Sequence, residues 1–290
     1  MILGPIVGLD FSGVVKKTAK NDNTHDLKVG DEVYGTVRGS LATHCIVEAN
    51  KIARKPNTLS FSEAAALPTA YLTGYQGLRY HGKLKSSQSV LILGASGGCG
   101  TAAVQLAKAL GAKTIVGVCS QKNAALVKSL GCTETVDYKT EDFSKKYDTS
   151  QFEGFDVVYD CASGSGHGED YKDDSFKVLK PTAPYVPLNG GGMMWTRFMI
   201  GYQESRVHLF TTKANRKDFE SLAKLIDEHK LKPIIASKTT FNEVNVKNGF
   251  KLLKSRRAVG KIVFEMMVTT ASQPVPPSQQ KTPMRRSCEK

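Results

Sequence analysis

Apolar and polar positions along the 290 residues fall into two regimes, a β-rich opening stretch and then a long alternation of strand and helix. Over residues 6–15, 32–37 and 42–48, short runs of β-branched and aromatic residues are separated by Gly, Asp and Asn. That spacing predicts a small irregular β domain. Residues 61–79 change to a helical period, with Ala64, Ala65, Leu67, Leu72 and Tyr75 apolar and Ser60 placed as N-cap. From residue 89 the period alternates. Val90-Leu91-Ile92-Leu93 is a continuous apolar run, as expected of a parallel strand covered on both faces. Further buried strands are predicted at 114–118, 157–160, 185–188 and 207–211, with one helix after the glycine-rich turn that follows residue 93, stopping at Gly111, and another at 123–130. A helix carrying Val246, Phe250, Leu252 and Leu253 precedes a closing strand at 261–264 that returns to the β domain. Strand–helix alternation of this kind predicts an α/β fold with a doubly wound parallel sheet. The segment 272–290, rich in Pro, Ser and Gln, is expected to be disordered, with Arg285 and Arg286 forming a solvated basic patch.

The junction between the first buried strand and its helix carries the clearest chemistry. In SVLILGASGGCGTAAVQLAKALG, over residues 89–111, Ala95, Gly97 and Gly100 fill the three glycine positions of a G-x-G-x-x-G turn, the first as alanine. Gly97 lets backbone approach a pyrophosphate, and Gly100 lets the helix pack closely on the strand. The helix then offers unsatisfied N–H groups and the positive end of its dipole to a diphosphate. Ala102, Ala103, Leu106, Ala107 and Leu110 continue at helical spacing, and Gly111 stops the helix.

The residues following the second strand, about 20 beyond the glycine turn, meet the adenosine ribose. They are Cys119, Ser120, Gln121 and Lys122, with no carboxylate to bond a ribose 2′-hydroxyl or repel a 2′-phosphate. Ser120 and Lys122 suit that phosphate, and NADPH is the expected cofactor. Two alternatives stand beside this: Lys122 as a solvated residue opening its helix, and Ser120 as that helix's N-cap.

With 40% apolar and 8% aromatic residues the chain can bury a large core. No run approaches the about 18 apolar residues of a membrane span, and no signal peptide opens the chain. An intracellular setting, cytoplasmic or organellar, is expected. The net charge of +13 is mixed with acids along the chain and lacks interleaved aromatics, which disfavours nucleic acid as a primary partner. The six cysteines (Cys45, Cys99, Cys119, Cys132, Cys161 and Cys288) show neither metal-ligand spacing nor a disulfide framework. Cys99 and Cys119 border the dinucleotide turn, so thiol reagents are candidates for inhibition, with small buried cysteines the alternative.

Several separated motifs together resemble the zinc-free, quinone oxidoreductase-like (enoyl-reductase-type) branch of the medium-chain dehydrogenase/reductase superfamily, over about residues 6–264. Gly8-Leu9-Asp10-Phe11-Ser12-Gly13-Val14-Val15 is similar to its G-x-E/D-x-x-G-x-V segment, and Val29-Gly30-Asp31-Glu32-Val33-Tyr34-Gly35 to its GD-x-V turn. Ala64-Ala65-Ala66-Leu67-Pro68 with Thr73 resembles the helix facing the nicotinamide, and Val259-Gly260-Lys261-Ile262-Val263 its closing strand. The resemblance implies a Rossmann domain plus a GroES-like β domain, with boundaries at 1–65 (β domain), 66–212 (dinucleotide domain), 213–266 (last Rossmann elements and return) and 267–290 (tail).

It also implies an NADPH-dependent reductase of quinones or α,β-unsaturated carbonyls. Zinc members read Gly-His-Glu where this chain has Gly8-Leu9-Asp10, so an imidazole ligand is missing, and the lobe of four structural cysteines is absent. Without a Lewis acid for an alkoxide, reduction of a conjugated acceptor is the easier chemistry. By transfer, Thr73 contacts the nicotinamide side, Ser96, Gly97, Gly98, Cys99 and Gly100 bind the pyrophosphate, and Ser120, Lys122 and Tyr138 bind the 2′-phosphate. Tyr138 reads equally well as a half-exposed strand-end tyrosine. Cys161-Ala162 and Leu188-Asn189-Gly190 border the cofactor at carboxyl ends of strands. Residues 190–198, with Met193, Met194, Trp195 and Phe198, line an apolar acceptor pocket or simply pack. No histidine is assigned to catalysis, and the catalytic acid is left open.

Two departures from the family pattern stand out. Family chains begin well upstream of the Gly8 segment, so the β domain is expected to be incomplete at its N-terminus. The second is a polar insertion, GSGHGEDYKDD, over residues 164–174, which defaults to a solvated loop. A non-catalytic NADPH-binding adaptor or sensor, or an inactive fragment of such a reductase, is the alternative reading. A homodimer through the nucleotide domain follows from family analogy.

Overall fold

The computed structural model describes residues 7–19, 26–150, 152–164, 170–202 and 204–266. Strands β1 (Asp10–Val14), β2 (Glu32–Thr36) and β3 (Ile52–Arg54) form an antiparallel sheet in the order β1-β2-β3. Its ladder continues past β1 and β2, where Val37, Gly39 and Leu41 N–H groups donate to Leu9, Gly8 and Val7 carbonyls.

Helix α1 (Phe61–Ala65) opens on a reciprocal cap. The Ser60 hydroxyl accepts from the Glu63 N–H, and the Glu63 carboxylate takes the Ser60 N–H at 2.8 Å. The single helix expected over 61–79 is instead divided. Helix α2 (Pro68–Gln76) begins afresh at Pro68, whose missing N–H interrupts the ladder, and a π turn over Gly77–His81 follows.

The centre of the molecule is an all-parallel five-stranded sheet in the order β6-β5-β4-β7-β8. It is built from β4 (Ser89–Leu93), β5 (Thr114–Cys119), β6 (Glu134–Asp137), β7 (Val157–Asp160) and β8 (Tyr185–Pro187). Along β4 the side chains alternate between two cores. Val90 and Ile92 join the one built with Leu72, Ala103, Leu106 and Phe219, while Leu91 and Leu93 join the other with Phe143, Phe155 and Val178. Both faces are therefore covered, which explains the unbroken apolar run. Helices α3 (Gly98–Ala109) and α4 (Ala124–Leu130) follow β4 and β5. The short α5 (Phe143–Lys146) and α6 (Lys172–Val178) supply residues to the second core. Gly111, at φ +83° just beyond α3, allows the turn back toward β5.

The strand expected at 207–211 is reduced to a single bridge, Val207 to Tyr185. Its neighbour β8 ends at Pro187, which has no N–H to continue the ladder. The expected strand at 42–48 is likewise absent. No described segment pairs with it, and Ile46 is 97% exposed. Of the polar insertion, residues 165–169 lie outside the described residues, and Lys172, Asp173 and Asp174 are the first turn of α6. The predicted tail 267–290 also lies outside them.

Helix α7 (Gly192–Met199) has no buried residue. Helix α8 (Arg216–His229) crosses to the antiparallel sheet. The Tyr34 hydroxyl donates to the Phe219 carbonyl at 2.7 Å, their rings meet edge-on at 5.3 Å, and Asp227 accepts from Asn57 and Thr58 N–H groups. Finally β9 (Ile235–Thr240), α9 (Glu243–Lys254) and β10 (Lys261–Glu265) form a parallel strand pair with its connecting helix. This pair is a sheet of its own, and β10 returns to the β domain. Lys261 pairs with Asp10 of β1 at 3.0 Å, and Glu265 accepts from the Ser62 hydroxyl at 2.6 Å. Among the described residues no helix is long and apolar enough to cross a membrane.

Candidate functional site

The turn between β4 and α3 is shaped by two contacts. Ala95 N–H donates to the Val118 carbonyl of β5 at 2.9 Å, and Gly97 N–H donates to the Gly94 carbonyl at 3.1 Å. Gly97 then serves as N-cap of α3 in an extended conformation, with no side chain to close the helix end. The first intrahelical bond runs from Thr101 N–H to the Gly97 carbonyl, so the N–H groups of Gly98, Cys99 and Gly100 have no intrahelical acceptor. Three donors at the positive end of a twelve-residue helix form an anion cradle. A Cβ at Gly97 would meet nothing closer than 3.5 Å, whereas one at Gly100 would stand 2.2 Å from the Gly94 carbonyl oxygen. The first glycine leaves the cradle open, and the second brings helix and strand together.

The strand ends around the cradle meet one another. A Cβ on Gly94 would touch Cys161 and Ala162 at 3.4–3.5 Å, and Cys161 N–H donates to the Leu93 carbonyl. Leu188 N–H donates to the Asp160 carbonyl at 2.9 Å, and Asn189 and Gly190 lie against Gly164. Gly94, Cys161, Ala162, Leu188, Asn189 and Gly190 thus line the carboxyl edge of the parallel sheet. Asp160, fully buried, holds this edge in shape. Its carboxylate accepts from Ala162 N–H (2.7 Å), Ser163 N–H (2.9 Å) and the Tyr185 hydroxyl (2.6 Å).

At the end of β5 Ser120 is buried, and Ser96 in the β4–α3 turn is half-buried. The Asn123 side-chain amide donates to the Ser96 hydroxyl at 3.0 Å and to the Ser120 hydroxyl at 3.3 Å. Ser120 precedes a 3-10 turn over Gln121–Asn123, but its hydroxyl makes no capping bond. Lys122 is exposed. Tyr138 is 58% exposed just beyond β6, and Asp137, opposite Cys119 in the register, has its carboxylate on the Lys139 N–H.

Thr73 lies on α2, nearly buried, with its hydroxyl 2.8 Å from that of Thr212. Burial pushes the thiols of Cys99, Cys119 and Cys161 up from their ordinary value, so all three stay protonated and poorly nucleophilic near neutral pH. Of the two cysteines named as candidates for thiol-reagent inhibition, Cys119 is buried and Cys99 half-buried. Met193 and Met199 of α7 are exposed at 70% and 78%, while Met194 reaches the second core and the Gly190 turn.

Sequence reasoning missed Asn123 and Asp160, and it named Asp10 and Lys261 as members of family motifs without their pairing. Asn123, three residues beyond Ser120, left a local trace. A groove of about 1650 Å³ opens between β1, residues 40–47, α1 and β10, and the Asp10–Lys261 pair lies on its wall. Gly260, beside that pair, bridges to Gly97 of the cradle.

Comparison with known proteins agrees with this fold. Residues 130–264 match the family model described as "Zinc-binding dehydrogenase". The chain is 36% identical over 273 residues to the 2-methylene-furan-3-one reductase of Solanum lycopersicum, covering 90% of this chain and 64% of that protein. It is 31% identical to the chloroplastic NADPH-dependent alkenal/one oxidoreductase of Arabidopsis thaliana, again over 90% and 64%. The quinone oxidoreductase structure from Coxiella burnetii superposes with a TM-score of 0.72 at 30% identity, covering 89% of this chain and 78% of that one. The chain belongs to the quinone oxidoreductase-like branch of the medium-chain dehydrogenase/reductase superfamily. Its five-stranded parallel sheet and its antiparallel sheet are this superfamily's Rossmann and GroES-like parts. The chain spans 64% of the length of the two curated plant relatives.

Proposed function

We propose that the protein is an NADPH-dependent oxidoreductase that reduces quinones or α,β-unsaturated carbonyls without zinc. The observation that carries this reading is the open cradle at Gly97–Gly100, whose neighbouring Ser96 hydroxyl shares the Asn123 amide with Ser120, with no carboxylate between Cys119 and Lys122. The N–H groups of Gly98, Cys99 and Gly100 would hold the diphosphate; Ser96, expected at the pyrophosphate, shares the Asn123 amide with Ser120 and would join Ser120 and Lys122 at the 2′-phosphate, while Tyr138 closes that end from the surface. Bound there, the nicotinamide supplies hydride. The strand ends at Cys161 and Leu188–Gly190 would form a wall that keeps water from the ring, and Thr73 would approach its amide side. Position and water exclusion are then the chain's main contribution to rate.

Zinc is not part of the proposal because Leu9 occupies the position where zinc members place an imidazole ligand, and an alkyl side chain offers a metal nothing. Reduction of a conjugated acceptor spreads negative charge onto a distal oxygen that solvent can protonate, so no Lewis acid is needed. The names of the plant and Coxiella relatives favour the same acceptor class.

Titration of the protein with NADPH and NADH by nicotinamide fluorescence, followed by addition of naphthoquinone or an enone, tests the reading. Tighter binding of NADPH with acceptor-dependent loss of the reduced cofactor is the expected result. Binding without turnover would point to the adaptor or an inactive fragment, and no binding of either nucleotide would overturn the assignment.

A further inference from the structure

Asn123 belongs to no sequence motif identified above, yet it touches the hydroxyls of both Ser96 and Ser120, where the β4–α3 turn meets the end of β5. A serine hydroxyl has one proton to donate and lone pairs to accept with. Ser96 and Ser120 both accept from the Asn123 side-chain amide. Among the described residues neither hydroxyl has an acceptor for its own proton. The two protons are therefore left without a protein acceptor, one on a residue of the β4–α3 turn and one on a residue at the end of β5. Ser120 is 6% exposed, so its hydroxyl has few other directions in which to find an acceptor.

Asn123 is itself held. Its N–H donates to the Ser120 carbonyl at 2.9 Å, and it leads into α4, whose Ala124 and Val127 are buried. The carboxylate of Asp137, the acidic neighbour across the register, is engaged by the Lys139 N–H. What the arrangement presents is a pair of hydroxyls tied to one amide, each with a proton still to donate, and an exposed Lys122 two residues beyond Ser120 in the chain. Hydroxyl donors and an ammonium suit a phosphate dianion, and they suit a neutral ribose hydroxyl far less.

We propose that Asn123 sets the nucleotide preference of this site, its amide fixing Ser96 and Ser120 as hydrogen-bond donors to a ribose 2′-phosphate. The inference rests on the NADPH reading above and assigns the residue that enforces it. An aspartate at this position would keep the shape of the side chain and reverse its polarity. It would accept both serine protons, turn them away from the cleft and add a negative charge beside the phosphate.

The test is cofactor affinity, read by fluorescence titration without any acceptor. Asn123→Asp should raise the Kd for NADPH by at least about tenfold and that for NADH by less than about threefold, so that the preference shrinks or inverts. Asn123→Ala, which removes the amide without adding charge, should lower the preference by about threefold. Combined with Ser96→Ala and Ser120→Ala it should add nothing further, because its effect passes through those hydroxyls. A purely structural role would weaken both nucleotides alike and leave their ratio unchanged, which overturns the proposal. If Asn123→Asp does not fold, the Asn123→Ala cycle decides, and an additive result there overturns the proposal too. Wild-type protein that binds NADH as tightly as NADPH would sink the functional reading and this inference together, whereas NADPH preference that survives Asn123→Asp sinks only the inference.

Discussion

At the residue scale the cradle depends on an absent side chain. A Cβ at Gly100 would stand 2.2 Å from the Gly94 carbonyl oxygen and 2.7 Å from Ala95 backbone, so α3 must move away from β4 to admit it. Gly100→Ala is expected to cost about 1–3 kcal/mol of stability, the usual range for overpacking. It should also weaken both nucleotides, which a melting curve and a fluorescence titration would register together. Lys122 predicts a different pattern. It is exposed and would meet only the 2′-phosphate, so Lys122→Ala should weaken NADPH by roughly three- to tenfold and leave NADH unchanged. A loss common to both nucleotides would remove Lys122 from the phosphate site.

At the element scale, α1 shows how a short helix is held by its first turn. The Ser60 N–H beside the Glu63 carboxylate holds its pKa below the usual value, aided by the Ser60 hydroxyl and by Lys232 and Lys238. A carboxyl whose folded pKa is depressed contributes stability that is present above its unfolded pKa of about 4.3 and is lost as pH falls through the folded value. The stability gap between wild type and Glu63→Gln should therefore be constant near neutrality and close as the pH drops below about 4, as thermal melts across that range would reveal. Ser60→Ala should cost about 1 kcal/mol at neutral pH, the usual cost of losing an N-cap. The two strands that failed to form also belong to this scale. A β-rich sequence becomes a strand only when a partner takes its hydrogen bonds, and Pro187 and the lack of a described neighbour withhold them at 207–211 and 42–48.

For the molecule as a whole, α8 and the Asp10–Lys261 pair join what the chain order separates. Phe219 on α8 is fully buried against the Tyr34 ring of the antiparallel sheet and belongs to the same core as Ile92 of the parallel sheet. Phe219→Ala is expected to cost about 3–5 kcal/mol, as large aromatic truncations in cores do. Because the core is shared, denaturant unfolding should remain a single transition shifted to lower midpoint. Two separated transitions would show that the sheets are stabilised independently. The Asp10–Lys261 pair, 251 residues apart in sequence, ties β1 to β10, while Thr69 N–H at the start of α2 donates to the same Asp10 at 3.2 Å. Through Gly260, which bridges to Gly97, the closing strand touches the cradle.

What could be read from the sequence was local. The strand at 89–93, the glycine turn, the helix from Gly98, the stop at Gly111 and the cap at Ser60 each depend on residues within a few positions of one another, where spacing dictates hydrogen bonding and burial. The open helix end at Gly97 followed for the same reason. What only the tertiary structure decided was long-range. Asn123 meets Ser96 across 27 positions because β4 and β5 lie side by side, and Asp160 meets Tyr185 across 25 because β7 and β8 do. Neither pair has a spacing signature, since strand order is set by which faces the helices cover. The sequence by itself determined an α/β chain with a glycine turn that opens a helix onto the carboxyl edge of its parallel sheet. The packing of its sheets decided which side chains stand around that turn and which way their protons point.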